Sequence, residues 1–177
     1  MILIFLYICL AQSWNVLAGY AGQVSLGHAA FFGLGAITTR FLWVWGYPFF
    51  LAFLIGGVVA VVFALIIGHP ALRLKGIYFA IGTLGLGQIL KITIGNVLPT
   101  VADLPGDYVA TYNLIPRYYL FLILAAITVV VVYWISHSKL GLGMVAVRED
   151  EEAAKASGVN TFLQKIIALS ISTFFAG

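Results

Sequence analysis

The sequence has very few charged side chains: nine basic and six acidic residues in 177, or 8% of the chain. Soluble domains are about a quarter charged, so this chain could not cover a water-facing surface. The net charge of +3 is too small and too scattered for a nucleic-acid-binding surface. A single cysteine, Cys9, excludes an internal disulfide and any multi-thiolate metal site. With 63% hydrophobic residues, the composition predicts a polytopic membrane protein.

Lysine and arginine are absent before Arg40, so the first apolar run lacks the positive flank that begins a signal peptide. We interpret residues 2–18 as a retained span. Further runs of membrane-crossing length follow at residues 27–44, 49–67, 76–98 and 118–135, and a sixth begins at Phe162. The runs lack period-two alternation, which favours helices over barrel strands. The sequence therefore predicts an all-α transmembrane helical bundle in a single domain, residues 1–177, and we expect it to be part of a longer chain.

The basic residues predict the orientation of the bundle, because cytoplasmic loops carry an excess of lysine and arginine. If the spans alternate, residues 69–75 and 136–165 lie on the same side, and they hold six of the nine cations. We assign these two loops to the cytoplasm, and residues 99–117 and the N-terminus to the outside. Lys91, within the fourth span, is expected to extend its amine to the outer interface.

Small residues recur at every fourth position of the third span: Ala52, Gly56, Ala60, Ala64 and Gly68. Such a ladder lets another helix approach closely. Since a helix has about 3.6 residues per turn, successive members shift by about 40° around the axis, which favours a crossed partner. The ladder predicts packing and carries no chemistry.

Signatures of catalysis and of ion coupling are missing. No GxxxxGK[ST] phosphate loop occurs, and residues 141–146 match the dinucleotide fingerprint only loosely, after a span and not within a βαβ unit. The three histidines have no metal-ligand spacing. All six acids are predicted in loops, Asp103 and Asp107 outside and residues 149–152 inside, whereas ion-driven carriers place a carboxylate within the membrane. We expect no catalytic residue, metal or cofactor in this chain, and an energy source other than an ion gradient.

Residues 137–161 contain the most water-compatible helix of the sequence, predicted over residues 144–157. The acids at 149–152 lie toward its start and Lys155 toward its end, as the helix dipole favours. Glu151 and Lys155 have the i,i+4 spacing of a helical ion pair. Four consecutive acids disfavour contact with the negative cytoplasmic leaflet. We therefore expect this short cytoplasmic helix to dock on another protein.

The connection from this helix to the sixth span carries two termination signals. Gly158 is predicted to end the helix in the left-handed conformation. Thr161-x-x-Gln164 fits a capping box that opens the sixth span. Sharply bounded ends predict a rigid element.

The same residues resemble a known family. Glu152-Ala153-Ala154-x-x-x-Gly158 resembles the EAA loop of importer-type ABC permeases, a coupling helix that sits in a groove of a cytoplasmic ATPase. Blocks at residues 15–36, 70–84 and 148–160 together are similar to the LivM-type permease family of branched-chain amino acid ABC transporters. Relative to that family, we expect an N-terminal span and the later C-terminal helices to be missing.

The resemblance implies a multi-pass subunit of the prokaryotic inner membrane that forms part of the pathway for branched-chain amino acids. It would pair with a second, LivH-type permease, two cytoplasmic ATPases that bind ATP and Mg²⁺, and a periplasmic or extracellular substrate-binding protein. The subunit itself would not be an enzyme. The residues implied in coupling to the ATPase are Arg148, Glu149, Asp150, Glu151, Glu152, Ala153, Ala154 and Gly158.

The glycine-rich residues 19–35 are predicted to interrupt a helix, and unwound backbone at membrane depth is tolerated only against protein or a water-filled cavity. The candidate pathway residues are Gln23, Ser25, His28, Thr83 and Gln88. At each of these positions, packing with polar interhelical bonds is the alternative. Two other functions stay open at this stage: a urea or short-amide permease of the same family, and an ion-coupled secondary carrier.

Overall fold

The computed structural model describes residues 1–72, 74, 76–98 and 114–177. These residues form eight α-helices: α1 Ile2–Asn15, α2 His28–Val44, α3 Phe49–Ala71, α4 Ile77–Val97, α5 Leu114–Ser136, α6 Lys139–Glu149, α7 Glu151–Ala156 and α8 Thr161–Ala176. A π-helix, Val16–Tyr20, continues α1. Over the described ranges no strand is present, which agrees with the all-α prediction. The predicted loop residues Arg73, Lys75, Asp103 and Asp107 lie outside the described residues.

Four helical stretches in the described residues are long and apolar enough to cross a membrane: Ile2–Tyr20, Phe49–Ala71, Ile77–Val97 and Leu114–Ser136. Two further helices, α2 and α8, have 17 and 16 residues. Each of the six predicted apolar runs is a helix. The fold is that of a multi-pass, all-α membrane protein.

Ring contacts define the two ends of the bundle. At one end, His69 near the end of α3 packs against Phe162 at the start of α8, with ring centroids 5.3 Å apart. At the other end, the Arg117 guanidinium of α5 lies over the rings of Trp43 and Phe49, at 5.0 and 4.7 Å from their centroids, in cation–π geometry. The described parts of the two predicted cytoplasmic loops therefore share one end. Which end faces the cytoplasm stays a prediction.

The small-residue ladder of α3 is buried, as predicted, at Ala52, Gly56, Ala60, Ala64 and Gly68. A Cβ at Gly56 would lie 2.6 Å from the Thr39 hydroxyl of α2. On the neighbouring face, a Cβ at Gly57 would lie 3.1 Å from the Phe174 carbonyl oxygen of α8. The ladder and Gly57 together thus let α2 and α8 both approach α3 closely.

The predicted single helix over residues 144–157 is wrong. Two helices, α6 and α7, meet at Asp150, whose backbone is extended (φ −153°, ψ 111°). The Asp150 carboxylate accepts hydrogen bonds from the backbone N–H groups of Glu152 and Ala153, at 2.8 and 3.0 Å. Since a side-chain cap of this kind stabilises a helix by about 1 kcal/mol, Asp150 starts a new helix and does not continue the first.

The predicted capping box of the sixth span is also wrong. Asn160 caps α8: its Oδ1 accepts a hydrogen bond from the Leu163 N–H at 3.0 Å. Thr161 is the first residue of the helix, and its hydroxyl donates to Glu151 Oε1 at 3.3 Å. Asparagine is at least as good a cap as threonine, so the helix starts one residue earlier and the threonine is used for a contact with α7.

Candidate functional site

The short helix α7 is capped at both ends, by Asp150 at its start and by Gly158 after its last residues. Gly158 has a φ of +82°. Its N–H donates to the Lys155 carbonyl, and the Val159 N–H donates to the Ala154 carbonyl, both at 3.0 Å. These two bonds form a Schellman motif, and an L side chain in this conformation would cost about 1–2 kcal/mol. The predicted stop at Gly158 is confirmed.

One face of α7 packs on the bundle and the other is exposed. Ala154 is only 4% exposed. Glu152, Ala153, Lys155 and Ala156 are all exposed. The helix therefore presents a small, charged surface at the end of the bundle.

Glu151 joins α7 to α8. Its carboxylate accepts hydrogen bonds from Lys165 Nζ at 2.8 Å and, as noted, from Thr161, and pairs with Lys155 Nζ at 3.1 Å. The predicted Glu151–Lys155 pair is therefore present. The Lys165 side chain is only 4% exposed. The hydrogen bond from Lys165 is the largest cause that lowers the pKa of Glu151 to about 2, helped by Lys155 and opposed by burial.

Arg148, in the last turn of α6, reaches back to the first membrane helix. Its Nη1 donates to the Gly19 carbonyl at 2.6 Å. The same guanidinium pairs with Glu149 Oε1, at 3.0 Å from Nε. Gly19 lies in the π-helix, so this bond connects the loop at residues 137–161 to the end of the first span.

The predicted helix interruption is present at residues 21–27, which link the π-helix to α2 in a non-helical path. We refer to them as the unwound segment. Its side chains alternate in exposure, as in an extended chain: Gln23 and Ser25 are buried, whereas Val24 and Leu26 are 43% and 54% exposed. One side of the segment therefore packs into the bundle.

Backbone groups of the unwound segment are held by α1, the π-helix and α4. Trp14 Nε1 donates to the Ser25 carbonyl at 3.0 Å, and the Gln23 N–H donates to the Leu17 carbonyl at 3.1 Å. The Leu26 N–H donates to the Thr83 hydroxyl at 3.1 Å. These bonds satisfy backbone groups that lipid could not satisfy.

Gly27 touches α4 so closely that only glycine fits. A Cβ there would lie 2.6 Å from the carbonyl carbon of Thr83. The unwound segment and α4 are therefore in backbone-to-backbone contact.

Four of the five predicted pathway residues share this region. Gln23, Ser25, His28 and Thr83 are each no more than 8% exposed, whereas Gln88 lies exposed on α4. His28 Nε2 lies 3.1 Å from the Ser13 hydroxyl. Within the described part of the chain, Gln23 Oε1, Ser25 Oγ and His28 Nδ1 have no hydrogen-bond partner.

An orphaned buried polar atom costs about 1–3 kcal/mol, so these three atoms can favour a polar ligand that reaches them. No group of three or more His, Cys, Asp or Glu residues that could hold a metal ion occurs among the described residues.

The family described as "Branched-chain amino acid transport system / permease component" matches residues 1–177. The chain belongs to this permease family. The match agrees with the resemblance carried by the three sequence blocks.

Two curated relatives carry the description "High-affinity branched-chain amino acid transport system permease protein LivM". The one from Escherichia coli (strain K12) is 29% identical over 208 residues, which cover 99% of this chain and 49% of the relative. The one from Salmonella typhimurium (strain LT2) is 29% identical over 205 residues, covering 97% and 48%. The chain thus spans about half the length of these relatives. No solved structure shows a significant match.

Two polar contacts between distant residues of this permease-family chain were not predicted from the sequence. The missed residues are Lys165, which meets Glu151, and Ser13, whose carbonyl accepts a hydrogen bond from the Ser172 hydroxyl at 2.6 Å. A signal existed for Lys165, because a lone lysine in the second turn of an apolar helix needs a partner. For Ser13 and Ser172, 159 residues apart, the sequence held no signal.

Proposed function

We propose that this chain forms part of the translocation pathway of an ABC importer for branched-chain amino acids. The family match and the two relatives support that substrate class over urea or short amides, and over an ion-coupled carrier. In this proposal the chain lies in a prokaryotic inner membrane, with its α7 end in the cytoplasm. It assembles with a second permease subunit, two ATPases that bind ATP and Mg²⁺, and a substrate-binding protein.

The observation that carries the coupling role is the construction of α7. Capped by Asp150 and ended by Gly158, it is a short, rigid helix that exposes Glu152 and Ala153. Glu151 fixes it to α8 through the nearly buried Lys165. If an ATPase binds the exposed face of α7 and shifts that helix, α8 would therefore shift with it. ATP hydrolysis belongs to the partner, and the residues of this chain transmit the motion.

The unwound segment and Thr83 are the proposed part of the substrate pathway. Irregular backbone inside a membrane-spanning bundle is expected where a cavity or pathway lies. The orphaned polar atoms of Gln23, Ser25 and His28 could bind the charged groups of an amino acid, while neighbouring apolar residues contact its side chain. Gln88 stays a prediction, because the structure places it apart on the exposed side of α4.

A charge reversal on the exposed face of α7 tests the coupling role. The native-length protein, carrying an affinity tag, is purified from detergent-solubilised membranes with its partners and reconstituted for uptake of labelled leucine. Glu152→Lys is expected to remove the ATPase from the purified complex and to abolish uptake while insertion is normal. Lys139→Glu reverses an exposed charge on α6 and serves as the matched control. Recovery of the wild-type chain without any ATPase would contradict the proposal.

A further inference from the structure

Arg148 contacts both ends of the turn at which the first membrane helix stops. Its guanidinium donates to the Gly19 carbonyl at 2.6 Å. Three residues further along the chain, Gly22 packs on the Arg148 main chain. A Cβ at Gly22 would lie 3.2 Å from both Cα and Cβ of Arg148. One loop residue thus holds a turn that is 129 residues away in sequence.

This turn is an unusual helix end. The π-helix Val16–Tyr20 precedes it, Gly22 has a φ of +69°, and the Gln23 N–H bonds to the Leu17 carbonyl. The last carbonyls of a helix lack intrahelical partners, and a cation there complements the negative end of the helix dipole. Single π-turns are frequent at functional sites. A cation from another part of the chain thus binds an exposed carbonyl at this helix end.

The turn leads directly into the proposed pathway. Gln23 follows Gly22, and Ser25 comes two residues later, both buried and both with an orphaned polar atom. They lie in the non-helical segment, where the Gln23 N–H donates to the Leu17 carbonyl and the Ser25 carbonyl accepts from Trp14 Nε1. A displacement of the turn would therefore shift these side chains.

Arg148 is also tightly connected to α7. The Asp150 N–H donates to the Ala146 carbonyl of α6 at 3.1 Å, while the Asp150 carbonyl accepts from the Ala154 N–H of α7 at 3.0 Å. Asp150 thus ends α6 and begins α7, and no other linker residue separates the two helices. A movement of α7 reaches Arg148 through two residues.

We propose that Arg148 is a positioning residue that passes the movement of α7 to the unwound segment through the turn at Gly19 and Gly22. This inference rests on the proposed function. It assigns Arg148 to the permease side of the loop, away from the ATPase surface. Glu151 then connects the loop to α8, and Arg148 connects it to the turn that leads into the pathway.

The test uses the intact transport complex with Arg148→Gln, and Arg148→Lys as the conservative variant. Lys139→Gln removes an exposed cation from the other end of α6 and is the matched control. Three quantities are measured: ATPase recovery and hydrolysis, leucine uptake, and maleimide labelling of a cysteine introduced by Ser25→Cys, with Cys9→Ser, with and without ATP.

We expect Arg148→Gln to retain the ATPase and its hydrolysis, to lower uptake by about tenfold, within the range of allosteric couplings, and to abolish the ATP-dependent change in labelling at position 25. Arg148→Lys, which can still donate to one carbonyl, is expected to restore most of the uptake and the labelling change. Lys139→Gln is expected to match the wild type in all three measurements.

Uptake and labelling that stay normal in Arg148→Gln would overturn the inference, as would loss of the ATPase from that complex, which would make Arg148 a docking residue. If the glutamine variant does not insert, the lysine variant decides. If Arg148→Lys loses uptake but keeps the normal ATP-dependent labelling, the inference is overturned. If it keeps both leucine uptake and the labelling change, the inference is supported. A wild-type complex without an ATPase would instead refute the proposed function.

Discussion

The α7 end of the molecule and the unwound segment are built on opposite principles. In α7, Asp150 and Gly158 close the two ends and Glu151 ties the helix to its neighbour. In residues 21–27 the backbone has no regular hydrogen-bond pattern, and buried polar atoms of Gln23 and Ser25 are unpaired. The element suited to transmit force is closed at both ends, whereas the element suited to meet substrate keeps buried polar atoms without partners.

The largest effect is expected at Glu151, whose carboxylate connects α7 to α8. Glu151→Ala leaves the nearly buried Lys165 ammonium without its carboxylate. Since Glu151 itself is 21% exposed, we expect a cost of about 3 kcal/mol, the lower end of the range for a fully buried pair. We expect a lower thermal unfolding midpoint in detergent. The double variant Glu151→Lys with Lys165→Glu should recover much of the loss, and Lys155→Ala, which removes an exposed partner, should change stability by less than about 1 kcal/mol. Equal losses for Glu151→Ala and Lys155→Ala would contradict this.

The next effect is expected in the unwound segment, at Gly27. Gly27→Ala forces a methyl group against the Thr83 backbone, and overpacking of this kind typically costs about 1–3 kcal/mol. We expect reduced stability together with reduced uptake. Gly33→Ala in α2 is the control, because a Cβ there meets no atom within 4 Å among the described residues. Similar behaviour of the two variants would show that the contact with α4 is unimportant.

A smaller effect is expected at the cap of α7. Asp150→Ala removes an acceptor for two backbone N–H groups, which costs about 1 kcal/mol and loosens the first turn of the helix. Hydrogen exchange at Glu152 and Ala153 should become faster. Asp150→Asn keeps the cap and should preserve the protection. Unchanged exchange in Asp150→Ala would mean that the helix is held by its contacts with α8 alone.

Near neutral pH the smallest effect is the pH dependence of the Glu151 pair, because the carboxylate stays charged there. Its pKa is lowered to about 2 from the ordinary value of 4.5, so the charged form contributes stability above pH 4.5, and this contribution is lost as the pH falls from 4.5 toward 2. Between pH 7 and 5 we expect a constant difference in stability between the wild type and Glu151→Gln. The difference should shrink below pH 4.5. A difference that already shrinks near pH 6 would contradict the assignment to Glu151.

The membrane helices and the small-residue ladder could be predicted because each depends on a local pattern that repeats along one segment. The helix boundary at Asp150 could not be predicted in the same way. An aspartate among three other acids fits either the first turn of a helix or its cap, and only the backbone direction distinguishes the two. Thr161 and Asn160 were confused for the same reason, since both residues are good caps.

In the candidate site, too, local features could be predicted from the sequence and contacts between distant residues could not. The sequence identified Gly158, the Glu151–Lys155 spacing and the polar residues of the glycine-rich stretch, because these are signals of residue type and short spacing. It could not pair Arg148 with Gly19, or Leu26 with Thr83, which are 129 and 57 residues apart.

By itself, the sequence determined that this protein is an all-helical membrane protein with a short, charged helix between its last two apolar runs. Hydrophobicity and charge fix these properties residue by residue, whatever the packing. The tertiary structure decided which carbonyl Arg148 binds, which carboxylate Lys165 meets, and which polar atoms of the unwound segment stay unpaired. These depend on how helices cross in a close-packed bundle, where a side chain finds its partner by position in space and not by distance along the chain.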